Sequence, residues 1–183
     1  VGMTTDSVFG ATHELSFTEA WSGALAFTAQ VYGDFSGYSD IAIGLALLLG
    51  FQLPDNFRLP YLATSPIEFW HRWHISFSTW LRDYLYIPLG GNRLGDLRTY
   101  VNLELTMLLG GLWHGANWTF VVWGGLHGLY LAVERWIRGR TGIAGDPAGL
   151  WNRLALALLT YILVNITWVF FRAEDFAGAW RLL

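Results

Sequence analysis

In GGLWHGANW (110–118) a single imidazole, His114, stands between two tryptophans and among Gly110, Gly111 and Gly115. A neutral imidazole, with an ordinary pKa of about 6.5, is the side chain best matched to taking a proton from a hydroxyl near neutral pH. The glycines let a substrate or a second backbone come close. These features suit acyl transfer: the base deprotonates an alcohol, the alkoxide attacks a thioester, and donors such as His74 or Asn117 steady the oxyanion. A histidine at a helical tip, satisfied by neighbouring polar groups, would be spelled the same way.

The other four histidines point elsewhere. His71 and His74 are three residues apart, a spacing that raises a metal site, but two imidazoles without an HExxH motif or any cysteine do not complete one, and no metal is expected. His127, in WGGLHGLYL, reads as a helix-packing histidine with one hydrogen bond to a neighbouring backbone or hydroxyl. His13 lies in a polar stretch and is given no role. The chain has neither lysine nor cysteine, which excludes a lysine Schiff base, a thiolate nucleophile and disulfides. A net charge of −3 gives no case for nucleic-acid binding.

The composition calls for a lipid environment: 54% hydrophobic residues, only 14% charged, and eleven tryptophans, whose rings favour the headgroup level of a bilayer. The expected fold is all-α, a multi-spanning membrane helix bundle with one amphipathic or re-entrant helix, forming a single domain over 1–183. Residues 1–18 read as a loop. The apolar stretch 19–51 is interrupted by Asp34, Ser36, Ser39 and Asp40, which suggests a kink or short turn between two membrane segments; 52–64 is a loop. A helix is expected over 65–87, with Ser65 as N-cap, Pro66 at its first position and Glu68 completing a capping box. Its tryptophans recur on one face and His71, His74, Ser78 and Arg82 on the next, which suits an interfacial or re-entrant helix.

Residues 99–113 and 117–136 form a helical hairpin whose tip is WHGA. From Arg98 to His114 the first leg measures about 22–24 Å, less than a hydrocarbon core of about 30 Å, so the tip is expected to stop inside the membrane. The loop 137–153 is rich in arginine and glycine and is expected on the cytoplasmic side, with the 93–98 turn; the tip then points outward. Residues 154–171 make a spanning helix, and FAGAWRLL at 176–183 looks like the start of another.

Three stretches, DFSGYSDIAIGLALLLGF (34–51), EFWHRWHISFSTWLRDYLYIPLGGNR (68–93) and LLGGLWHGANWTFVVWGGLHGLYLAVER (108–135), closely resemble the membrane-bound O-acyltransferase (MBOAT) family, in particular its alginate O-acetyltransferase type. The resemblance implies a funnel through the membrane with the reactive histidine deep inside. His114 matches the family's catalytic histidine and His74 the histidine of its second motif, with Arg72, Trp73, Arg82, Asp83 and Tyr84 as supporting residues of that motif; Trp113 and Asn117 border His114. It also implies transfer of an acetyl group from a cytosolic thioester, with acetyl-CoA as donor and no permanently bound cofactor, toward hydroxyls of an exported polysaccharide such as alginate, directly or through an extracytoplasmic partner protein. The location implied is the inner membrane, multi-pass. Family members are more than twice this long, so the chain reads as a fragment lacking the N-terminal helices. Two other readings remain: a transporter with Asp34, Asp40 and His114 along a polar path, and a metal-dependent membrane hydrolase using His71, His74, His114 and His127.

Overall fold

The computed structural model describes residues 1–11, 13–142 and 149–183. Among them the regular structure is helical throughout. Helix α1 (Gly2–Phe9) occupies part of the segment expected to be a loop. It forms because Val8 can be buried against α2 (Phe17–Leu48) while Phe9 meets the Phe27 ring edge-on at 5.9 Å. An ion pair from Arg172 to Asp6 at 2.9 Å ties it down.

Helix α2 starts at a full capping box, in which the Ser16 amide donates to Glu19 Oε2 at 2.8 Å and Ser16 Oγ accepts from the Glu19 amide at 3.3 Å. It then runs for 32 residues, about 48 Å, without a break. The short turn expected near Asp34–Asp40 is absent. That stretch holds no proline, and scattered Ser, Gly and Asp lower helix propensity by less than tertiary packing restores. The helix ends at Leu48, where Gly50 turns the chain at a φ of 83°.

The helix expected over 65–87 is in fact three pieces: α3 (Pro66–Arg72), α4 (Ile75–Leu81) and a π-helical turn over Arg82–Tyr86. Its start is as expected at Ser65, whose Oγ accepts from the Glu68 amide at 3.2 Å, but the Glu68 carboxylate turns to Thr64 instead of closing the box. The break falls at Trp73, which is extended, and His74, which is left-handed at a φ of 44°. A non-glycine residue there costs about 1–2 kcal/mol. The preceding loop holds it: the Arg58 amide donates to the Arg72 carbonyl and the Ile75 amide to the Asn56 carbonyl, both at 3.0 Å, while Asn56 Oδ1 accepts from Ser76 Oγ at 2.7 Å. These bonds satisfy backbone groups that an unbroken helix would have paired internally.

The hairpin is formed by α5 (Asp96–His114) and α6 (Trp118–Thr141), joined by Gly115–Asn117. A Cβ on Gly111 would overlap the Phe120 carbonyl, and one on Gly124 the Met107 carbonyl, so these glycines allow two backbones to touch. Helix α7 (Leu150–Arg172) has a mean hydropathy of 2.1 in its most apolar window and is, among the described residues, the one helix long and apolar enough to cross a membrane by length and composition. Helices α6 and α7 both reach into the segment expected as the 137–153 loop, whose centre, 143–148, lies outside the described residues. Helix α8 (Phe176–Leu182) is capped by Asp175, whose Oδ1 accepts from the Gly178 amide at 2.7 Å. The core lies where Trp70 of α3 and Trp73 just after it meet Trp123 of α6 and Trp168 of α7. The second half of α2 leaves Ile41, Leu45 and Leu48 exposed, an apolar surface of the kind that lipid or further helices cover.

Candidate functional site

His114 is the last residue of α5, half-buried in a box of aromatic rings. Trp113, Trp123 and Phe171 each meet it edge-on at 5.1 Å, and Phe77 of α4 does so at 5.6 Å. Among the described residues no hydrogen bond reaches either ring nitrogen, so the box orients the imidazole by shape and leaves its lone pair free for a proton. His74, set at the break between α3 and α4, lies edge-on to Phe35 of α2 at 4.6 Å and stacked on Phe77 at 5.0 Å. The two motif imidazoles thus share one phenylalanine ring. The left-handed turn that places His74 there is the strained element of this region.

The remaining sequence-derived residues divide. Trp113 is largely exposed and packs on Phe77 at 4.6 Å, at the rim of the pair. Trp73 is buried in the core and packs on Phe57 at 5.0 Å, which in turn packs on Phe35, a ring that meets His74. Arg72 pairs with Glu68 at 2.5 Å and donates to the Arg58 carbonyl, so it braces α3 and the loop before it. Burial pushes the Glu68 carboxyl up, but hydrogen bonds from Thr64 and the Arg72 guanidinium outweigh it and hold the group below the usual carboxylate range. Arg82 and Asp83 pair with each other at 2.7 Å on the exposed π-helical turn, and Tyr84 points outward beside Trp80. That turn is not gathered around the histidine pair. Asn117 is engaged twice, with Oδ1 accepting from the Thr119 amide at 3.2 Å to cap α6 and Nδ2 donating to the Glu174 carbonyl at 2.9 Å. It acts as a clamp between the tip and the end of α7, and among the described residues no hydrogen bond joins it to His114.

His127 is fully buried, with Nε2 at 3.0 Å from Thr167 Oγ1 of α7 and its ring against Phe69, Trp70 and Trp123. His71 lines a cavity of about 740 Å³ between α3, α4 and the base of the hairpin, together with Arg82, Tyr100, Arg135 and Arg138. Neither motif histidine borders that cavity. Among the described residues no three of His, Asp and Glu gather at metal-binding distance. The four histidines of the hydrolase reading therefore work in three separate places. Sequence reasoning missed Phe77, Phe171 and Trp123, the rings that frame His114. Phe77 and Trp123 carried a signal, lying within the two motif stretches at helical spacing from His74 and His127; Phe171 carried none.

Comparison with known proteins places the chain among relatives of one family. The chain is 58% identical to the probable alginate O-acetylase AlgI of Azotobacter vinelandii over 164 residues, 90% of this chain and 32% of that protein. It is 45% identical to the peptidoglycan O-acetyltransferase of Helicobacter pylori over 178 residues, 97% of this chain and 33% of that protein. It is 31% identical to the teichoic acid D-alanyltransferase of Streptococcus thermophilus over 159 residues, 78% of this chain and 38% of that protein. The chain spans about a third of the length of these relatives. The model of the membrane-bound O-acyltransferase family matches residues 5–145, a span that holds the α3–α4 break, the hairpin and both motif histidines, and the chain belongs to that family.

Proposed function

We propose that this chain is the reactive segment of a multi-pass inner-membrane O-acyltransferase that moves an acetyl group from a cytosolic thioester, acetyl-CoA, toward hydroxyls of an exported polysaccharide such as alginate. The observation that carries the reading is the pair of imidazoles, free of hydrogen bonds within the described residues, that share the Phe77 ring at the end of the hairpin. His114 takes the proton of the acceptor hydroxyl as its oxygen attacks the thioester carbonyl. The tetrahedral intermediate collapses with cleavage of the C–S bond, and the departing thiolate recovers the proton from the imidazolium. His74 donates to the oxyanion from its fixed position at the helix break. Trp113, at the rim, limits access of water. Arg82 is the cation assigned to the donor's phosphates, with Asp83 bracing it on the π-helical turn and Arg72 bracing the helix that leads to His74. An extracytoplasmic partner protein receives the acetyl group where the sugar does not reach the tip directly.

Names of the relatives support acyl transfer onto cell-envelope polymers, and the aromatic enclosure supports chemistry protected from water. The test is to incubate the purified full-length protein with radiolabelled acetyl-CoA and an alginate acceptor. Acyl transfer is expected. Neither hydrolysis nor transfer, with solute flux persisting across vesicles that contain the protein, would replace this reading with a transporter.

A further inference from the structure

Ser65 caps α3 and Asn117 caps α6 with their own side chains, whereas α4 begins at His74, whose imidazole caps nothing. The first amides of α4 still need acceptors. Asn56, twenty residues before Ser76, supplies them from the loop that precedes α3. Its carbonyl accepts from the Ile75 amide at 3.0 Å, and its side-chain Oδ1 accepts from the Ser76 amide at 3.2 Å and from Ser76 Oγ at 2.7 Å. A serine, threonine, aspartate or asparagine at position 74 would do this locally. Capping from a distance leaves that position to a histidine.

The loop that carries Asn56 is itself seated by the residues that follow. Phe57 packs edge-on against Phe35 of α2 at 4.9 Å, Trp73 at 5.0 Å and Tyr32 at 5.7 Å, and the Arg58 amide donates to the Arg72 carbonyl at 3.0 Å. Phe35 is also the ring that meets the His74 imidazole at 4.6 Å. Backbone and ring of His74 are thus referenced to one support: Asn56 fixes where α4 begins, and Phe35 with Phe77 fixes where the imidazole lies. Without the Oδ1 acceptor, the left-handed residue loses the side-chain bonds that offset its strain, and the turn relaxes.

We infer that Asn56 is a positioning residue for the transfer reaction: by capping α4 from the preceding loop, it places the His74 imidazole for the oxyanion. Its effect on rate rests on the acyltransferase reading and its effect on the ring does not, so the full-length protein in lipid nanodiscs is tested for both. Acetyl transfer is measured as kcat and KM for acetyl-CoA in a cycle of Asn56→Ala, His74→Gln and the double variant, glutamine being chosen because it does not cap a helix itself. Asn56→Ala is expected to lower kcat about 10- to 100-fold with KM unchanged, the cost of a displacement of about 1 Å, and to lower it less than about twofold once position 74 is glutamine. Asn56→Asp keeps the acceptor and should restore most of the rate. In parallel, diethylpyrocarbonate labelling read by mass spectrometry should mark His74 at least about threefold faster in Asn56→Ala than in the wild type or Asn56→Asp, with the exposed His13 as internal reference. Should Asn56→Ala fail to fold, Ser76→Ala, which removes the 2.7 Å bond, takes its place in the cycle with an expected fall of about threefold. Wild-type kcat in Asn56→Ala, an equal loss in both backgrounds, no rescue by aspartate, or unchanged labelling of His74 would each overturn the inference. A wild type that transfers nothing refutes the acyltransferase reading instead, and the labelling then decides the role of Asn56 by itself.

Discussion

His114 and His127 stand on opposite legs of one hairpin, both in tryptophan-rich surroundings, and they differ in what their nitrogens do. His127 is sealed in the core, with Nε2 committed to Thr167 of the next helix. His114 is half-exposed at the tip, held by rings alone. The contrast teaches how this fold separates stability from reactivity: a histidine bonded across two helices stiffens the bundle, and one caged by shape keeps a lone pair to spend on a substrate. The same division holds for Asn117 and His74. The side chain of the first clamps the tip to Glu174, and the imidazole of the second, at the end of a strained turn, bonds to no described residue.

Substitutions that exchange the properties of the two regions test that division. The largest effect is expected at His74, where His74→Asn keeps a residue that tolerates the left-handed backbone but removes the imidazole. Transfer by the full-length protein should fall about 10²–10³-fold with thermal stability little changed. A matching loss of stability would place His74 with the core. His127→Ala should do the reverse, lowering stability by roughly 2–4 kcal/mol through the cavity and the lost bond to Thr167 Oγ1, which keeps only its bond to the Val164 carbonyl, with activity retained wherever the protein stays folded. Gly124→Ala drives a methyl group into the Met107 carbonyl and should separate the hairpin legs, costing about 1–3 kcal/mol in the same unfolding measurement. The smallest effect belongs to Asn117→Ala: about 1 kcal/mol for the lost cap and a modest fall in rate as the tip loosens.

The sequence reached the hairpin, its tip and the packing of His127 because each depends on local signals: helical periodicity, a glycine-rich turn, and a histidine among small residues. Ser65 marked its helix start for the same reason. It did not reach the break at His74, because the partners that impose it, Asn56 and Arg58, belong to the preceding loop and their backbone pairing has no periodic signature. Helix α1 was hidden because its few apolar residues make sense only against α2. The uninterrupted course of α2 was hidden because polar residues in apolar sequence read as a turn, whereas here the helix carries Asp34 and Asp40 exposed and Ser39 buried without a break. The histidines were therefore readable as residue types, but their shared aromatic ring was a tertiary fact.

The central claim is that the His114 ring does chemistry and leaves stability to the rings around it. The direct measurement is acetyl transfer and thermal unfolding of purified full-length His114→Ala, side by side with the wild type. Transfer should fall at least about 10²-fold while the unfolding temperature and membrane insertion stay close to wild type. Retained transfer, or a loss of activity matched by a loss of stability like that expected for His127→Ala, would contradict the account.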